Sequence, residues 1–250
     1  MFLPRSNLPG VVLTSATQTN GTVVRIQQSW LAADERVLLV AIATRLPRWV
    51  KPDHLTILGI GGALLCGVGY AGSTLSPLCL WLSVLGLIVN WFGDSLDGSL
   101  ARVRRIERPH YGYFVDHASD VISQVLIFLS LGFSPHLRFS TACLLLMSYW
   151  LAALFTFIRT IATSVFQISY FGVGPTEIRL ALLSYTLLLI GAGEMSFATR
   201  IGSVSPLDGI AVVIFCIVIF SYVVMSWVEA RRLAALEVPA TTEAVAAAAE

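Results

Sequence analysis

Four aspartates stand close together in an otherwise apolar stretch of the chain. The segment reads Asp94-Ser-Leu-Asp97-Gly98-Ser-Leu-Ala101-Arg102, then nine residues, then Gly112-Tyr-Phe-Val-Asp116-His-Ala-Ser-Asp120. On a helix, Asp94 and Asp97 lie about 60° apart around the axis, and Asp116 and Asp120 about 40° apart. Gly98 and Ala101 fall a turn beyond the first pair and Gly112 a turn before the second. Side chains this small leave room for a ligand or let two helices close on each other. Pro109 and its neighbours reverse the chain, so the two acidic faces can meet. Four carboxylates around one cavity carry a charge that two divalent cations would neutralise, and ligands that are all oxygen favour Mg²⁺ or Mn²⁺. Paired cations of this kind suit phosphoryl transfer. A plainer account pairs the aspartates with Arg102, Arg104, Arg105 and Arg108 at a charged membrane edge. It explains one or two carboxylates, but not two helically phased pairs flanked by small residues.

The elements that must carry these residues are membrane helices. Of 250 residues, 56% are hydrophobic and only 12% charged, and mean hydropathy is +0.78. Such a chain has too little polar surface to cover itself in water. A net charge of +1 gives no field for nucleic acid. Cys66, Cys79, Cys143 and Cys216 are widely spaced in apolar runs, which predicts inert buried thiols rather than disulfides or a zinc site.

The expected architecture is an all-α integral membrane protein with six transmembrane helices preceded by an interfacial amphipathic helix. Residues 1–29 are polar and read as a disordered leader, with the sequon at Asn20 a chance match. In residues 30–51, Trp30, Leu31, Val37, Leu38, Ile42, Leu46 and Trp49 alternate with Asp34, Arg36, Arg45 and Arg48, as suits a helix lying in the interface. Residues 52–232 form the six-helix catalytic domain, and 233–250 an Ala-rich flexible tail. The charge-free run from Leu55 to Phe92 is too long for one crossing and breaks at Gly72-Ser73-Thr74-Leu75-Ser76-Pro77, so it reads as a helical hairpin. Further crossings are read at Phe114–Phe133, Thr141–Ile158, Leu180–Gly193 and Gly209–Trp227. Arginines and Lys51 cluster before the first crossing, after the second and after the sixth, which puts both termini and the aspartates at the cytoplasmic face.

The aspartate segment resembles the signature of the CDP-alcohol phosphotransferases (CDP-alcohol phosphatidyltransferases), D-x2-D-G-x2-A-R-x8–9-G-x3-D-x3-D, at every fixed position. The resemblance implies transfer of a phosphoryl-alcohol group from a CDP-alcohol donor to an acceptor hydroxyl, with release of CMP, in phospholipid synthesis. It makes Asp94, Asp97, Asp116 and Asp120 the ligands of two Mg²⁺ or Mn²⁺ ions, with Asp120 also the catalytic base. Asp97, Gly98, Ala101, Arg102 and Gly112 would shape the site for the CDP moiety. It also implies a homodimer, among membrane lipids and without nucleic acid; we place it in a bacterial inner (cell) membrane.

Two shorter segments match in part. Pro52-Asp53-His54-Leu55-Thr56 resembles the family's P-N-x-x-T, with Asp53 either a helix N-cap or a nucleotide contact. Gly174-Pro175-Thr176-Glu177 resembles the GPTE segment of choline- and ethanolaminephosphotransferases. Glu177 and Arg179 either pair with each other or face an acceptor site, while Arg159 reads as a snorkelling anchor. Whether donor or acceptor carries the lipid is left open by these residues. Two other functions are weighed: a UbiA-like prenyltransferase, from Asn90, Asp94 and Asp97 with Asp116 and Asp120, and an ion or proton transporter. The first normally has its acidic motifs far apart, and the second needs ionisable groups through the bilayer midplane.

Overall fold

The computed structural model describes residues 12–18, 21–27, 32–167, 174–196 and 206–236, with side chains for 33–164, 174–191 and 208–236. Its helices are α1 (Ala32–Arg45), α2 (Pro52–Gly72), α3 (Leu80–Arg104), α4 (Pro109–Gly132), α5 (Phe139–Thr163), α6 (Pro175–Ser196) and α7 (Pro206–Leu236). Among the described residues, five segments are long and apolar enough to cross a membrane: those of α2, α3, α4, α5 and α7. The protein is therefore a predominantly helical integral membrane protein. The expected fifth crossing, Leu180–Gly193, falls on α6, whose side chains are described only as far as Gly191.

Three expectations are corrected. The leader contains two antiparallel strands, β1 (Val12–Gln18) and β2 (Gly21–Gln27), and β2 pairs in parallel with β3 (Val165–Gln167). Val, Ile and Thr are frequent in β1 and β2 and favour extended backbone. All four cysteines are free, but only Cys66 is buried and Cys216 is exposed, because α7 turns most of its side chains outward. Asp53 is not the cap of α2; Lys51 holds that place, with Pro52 at the first helical position. Trp30, Leu31, Asn20 and the tail beyond Leu236 lie outside the described residues.

The hairpin of α2 and α3 is the centre of the fold. Its helices touch backbone to backbone because glycines face each other across the seam. A Cβ on Gly62 would sit 2.4 Å from the Asn90 nitrogen, and one on Gly93 would sit 2.4 Å from the Gly59 nitrogen. Without side chains there, the approach maximises van der Waals contact where no hydrophobic driving force operates. Two side chains stitch the same seam: Ser83 Oγ donates to the Cys66 carbonyl, and Asn90 Nδ2 to the Gly59 carbonyl, each at 3.0 Å.

Packing around this hairpin falls into two layers. One cluster joins Cys66 and Tyr70 of α2 to Leu87, Ile127, Ala142 and Leu189 of α3 to α6. The other joins Leu39 and Ala43 of α1 to Leu55, Leu96 and Leu100 at the opposite end of the hairpin. Helix α1 turns its apolar stripe inward onto α3, while Val37 and Leu38 remain exposed. The segment after α1 is fastened beneath α3 by Arg104, whose guanidinium donates to the carbonyls of Leu46 at 3.0 Å, Pro47 at 2.8 Å and Val50. The aspartates lie between the two layers.

Candidate functional site

Helix α3 ends where Arg105 takes a left-handed backbone, φ 55°, and α4 starts at Pro109, whose fixed φ suits a first helical turn. This short reversal lets the two motif halves approach. Asp94 and Asp97 project from α3, Asp116 and Asp120 from α4.

The structure brings Asp94 and Asp120 together on one cation. Arg179 of α6 donates from Nη2 to Asp94 Oδ2 at 2.6 Å and to Asp120 Oδ1 at 3.3 Å. All three side chains are largely shielded, with exposures of 13% for Arg179, 19% for Asp94 and 22% for Asp120. Charge-assisted bonds in such a setting are strong, and leaving either partner alone would be costly. Asp97 is buried and held differently: Oδ2 accepts from Thr56 Oγ1 at 2.6 Å, and Oδ1 from the Gly98 backbone N–H. Asp116 is 45% exposed, with its Oδ2 3.9 Å from His117 Nδ1.

Small residues have distinct uses here. A Cβ on Gly98 would stand 3.3 Å from Arg102 Nη1, so the glycine gives the guanidinium its place beside Ser99, to which Nη2 donates at 3.1 Å. Half-buried Ala101 offers its carbonyl to the Ile106 N–H at 3.0 Å and closes α3. Gly112 has no neighbour within 4 Å of a would-be Cβ and faces open space. The charged-edge account is not what is seen for two of its arginines. Arg104 is engaged by carbonyls, and Arg108 forms a two-pronged pair with Asp53 at 2.7 and 2.9 Å while lying over the Tyr111 ring.

The acceptor-site candidates separate. Glu177 Oε2 accepts from the Gly174 N–H at 2.9 Å and so holds the start of α6, whereas Arg179 reaches the aspartates. Arg159 lies 3.7 Å from Glu229 of α7.

Two contributors escape sequence reasoning. Thr56 was visible only as part of a partial motif, and nothing in the sequence marked it as the partner of Asp97. Glu35 of α1 accepts from Trp91 Nε1 at 2.8 Å, Ser95 Oγ at 3.2 Å and Thr176 Oγ1 at 2.9 Å. It thereby joins α1 to both α3 and α6 beside the Asp94–Arg179 pair.

The donor set can be tested against a divalent cation. Among the described residues, no three His, Cys, Asp or Glu side chains are grouped tightly enough to hold one. The donors are all carboxylate oxygens, however, as Mg²⁺ and Mn²⁺ require. The guanidinium between Asp94 and Asp120 shows that positive charge is bound at the junction of the motif halves. The donor chemistry suits such ions, while among the described residues the four carboxylates are not drawn around one point.

A search of curated proteins finds no match. The family model described as CDP-alcohol phosphatidyltransferase matches residues 49–227, which span α2 to α7 and include every aspartate of the site. This chain belongs to the CDP-alcohol phosphatidyltransferase family.

Proposed function

We propose that the protein transfers a phosphoryl-alcohol group, phosphatidyl or similar, from a CDP-alcohol to an acceptor hydroxyl in phospholipid synthesis. Asp94 and Asp120, from opposite halves of the motif, meet on a single cation in a shielded cleft, and that observation carries the reading. In the reaction, the acceptor oxygen bonds to the phosphorus that bears the transferred alcohol. The bond from that phosphorus to the bridging pyrophosphate oxygen breaks, and CMP departs with the electron pair. Asp120 takes the acceptor's proton. It lines the same cleft as Asn90 and Tyr149, where a hydroxyl can approach within hydrogen-bond reach.

Asp94, Asp97, Asp116 and Asp120 would hold two Mg²⁺ or Mn²⁺ ions. When bound, these ions supply charge neutralisation for the pyrophosphate and its leaving oxygen. Thr56 keeps Asp97 oriented through its hydroxyl. Gly98, Ala101, Arg102 and Gly112 would shape the site for the CDP moiety, with Gly112, beside open space, leaving room for it. In this reading α6 makes the fifth of six crossings and α7 the sixth, α1 lies in the interface, both termini are cytoplasmic, and the protein works as a homodimer in a bacterial cell membrane.

The test is CMP release by purified protein offered a panel of CDP-alcohols and acceptors. Asp120→Asn is expected to lower the rate by about a thousandfold or more while the protein still assembles in membranes. EDTA should stop the wild-type reaction, and added Mg²⁺ or Mn²⁺ should restore it. Near-normal turnover by Asp120→Asn would remove that residue from the mechanism.

A further inference from the structure

The connection from α5 to α6 is gripped twice by chain that lies outside the family match, which begins at residue 49. Helix α5 stops at Ser164, whose φ of 56° is a left-handed backbone that residues with a side chain seldom adopt unaided. The chain then passes straight into β3, where Val165, Phe166 and Gln167 pair in parallel with Val24, Arg25 and Ile26 of β2. At the far end of the connection, Thr176 Oγ1 donates to Glu35 of α1, at 3.0 Å to Oε1 and 2.9 Å to Oε2. Strand β2 and helix α1 follow each other in sequence, so one stretch of chain makes both grips.

Each grip is weak alone. A two-stranded hairpin is marginal in water without a third strand, so β1 and β2 depend on β3 as β3 depends on them. The parallel ladder spans only three residues, and parallel pairing is slightly less stable per residue than antiparallel. Two ties on one chain reinforce each other, because making one keeps the partners of the other at high effective concentration. What they hold together is the first turn of α6. Deeper along that helix, Thr186 shares a 2.7 Å hydrogen bond with Tyr70 of α2, but Arg179 lies one turn from Thr176, at the gripped end. Glu177 closes that turn onto the Gly174 N–H, so a displacement of the connection is passed to Arg179 instead of being absorbed.

We propose that β2 and α1 act together as a positioning strap. By holding the connection at β3 and at Thr176, they set where the Arg179 guanidinium stands between Asp94 and Asp120, and so govern turnover without touching substrate. The strap rests on the transferase reading above, with Asp94 and Asp120 at its centre. Misplacing a group near the reacting atoms by about 1 Å can cost about a hundredfold in rate, so a two-point hold on the arginine's helix has a large effect to protect.

Two measurements on the full chain test it. Val24 and Val165 are Cα partners, a separation that a disulfide spans. In Val24→Cys/Val165→Cys, treating membranes with copper–phenanthroline should join the two residues, seen as a linked peptide by mass spectrometry. Ser15 partners Val24 from the other side, about 10 Å from Val165, so Ser15→Cys/Val165→Cys should stay unlinked. The ladder is then broken from each side. Neighbouring N–H groups of a strand point in opposite directions, so two adjacent prolines remove a ladder donor from either strand. CMP release is followed from CDP-dioleoylglycerol with glycerol 3-phosphate and from CDP-choline with dioleoylglycerol. Phe166→Pro/Gln167→Pro on β3 and Arg25→Pro/Ile26→Pro on β2 should each lower kcat by about tenfold and leave KM for the CDP-alcohol unchanged. Combined, they should lower it no further, because the same ladder is lost only once. If the β3 variant does not fold, the β2 variant, which alters no membrane helix, decides. Linking of Ser15 as readily as Val24, an unchanged kcat in the β2 variant, losses that multiply on combination, or a raised KM in place of the lowered kcat would each overturn the strap. Absence of CMP release from the wild type would instead sink the transferase reading beneath it, while the cross-links report the ladder without any turnover.

Discussion

The two halves of the aspartate motif are mounted in different ways. On α3, Asp94 and Asp97 follow directly on Gly93, whose backbone lies against α2, and both carboxylates have short hydrogen bonds to neighbouring elements. On α4, Asp120 has a partner in Arg179, but Asp116 is half-exposed and Gly112 borders open space at an exposed helix start. One half is pre-set by backbone contact, and the other is left accessible. A site that must fix a pyrophosphate while admitting a bulky nucleotide has use for both arrangements, since pre-organised groups need no reordering during the reaction.

The sharpest way to break this contrast is to make the same substitution on both sides. Gly93→Ala places a methyl group 2.4 Å from the Gly59 nitrogen and 2.5 Å from the Leu55 carbonyl. Neither is a side chain that can rotate away, so α3 must leave α2. The cost should reach the upper end of overpacking penalties, about 3 kcal/mol or more, seen as a large fall in melting temperature in detergent. Gly112→Ala meets nothing within 4 Å. It should melt no lower than wild type, because alanine is the better helix former by about 1 kcal/mol. Its effect should instead appear as a raised KM for the CDP-alcohol. Equal destabilisation by the two changes would show that the halves are mounted alike.

Thr56→Val sharpens the comparison within the rigid half. The change keeps the side chain's shape and removes the hydroxyl that donates to Asp97 at 2.6 Å. Asp97 then keeps the Gly98 N–H, inside a buried setting. Groups that orient metal-ligating residues typically contribute about 10- to 100-fold in activity or metal affinity. A loss in that range is expected in CMP release, with a higher Mg²⁺ requirement and an intact fold. No change in the Mg²⁺ requirement would mean that Asp97 is held well enough without the threonine.

Much of this was legible along the chain because it is local. A charge-free run with a Gly/Ser/Pro break specifies a helical hairpin, and three- and four-residue spacings put carboxylates on one helical face whatever the tertiary fold. What the sequence did not give is set by contacts between distant residues. Arg179 is 85 residues from Asp94, and an arginine at the start of an apolar helix looks the same whether it anchors in the interface or crosses to a carboxylate. Glu177 sits two residues from Arg179, yet turns back to its own helix start, because backbone N–H groups there need an acceptor. The strands of the leader were missed for another reason: a β-pair of mixed Thr and Val has no continuous apolar face, and β3 is only three residues long.

The same long-range logic gives the mildest test of the contrast, at Glu35. This carboxylate accepts from Trp91 and Ser95, which lie one turn apart on α3 on either side of Asp94, and from Thr176, one turn before Arg179. It therefore braces the two helices whose side chains meet as the Asp94–Arg179 pair, without touching either member. Glu35→Ala should lower kcat by about tenfold or less, while Glu35→Gln, which retains a carbonyl acceptor of the same reach, should recover most of it. Thr176→Val alone should cause part of the loss, and in the Glu35→Ala background it should cause no more, because the tie it removes is already gone. Fully additive losses would mean that Thr176 acts apart from Glu35. In that case α6 would be positioned by Arg179 and its own apolar packing, and the rigid half of the site would end at α3.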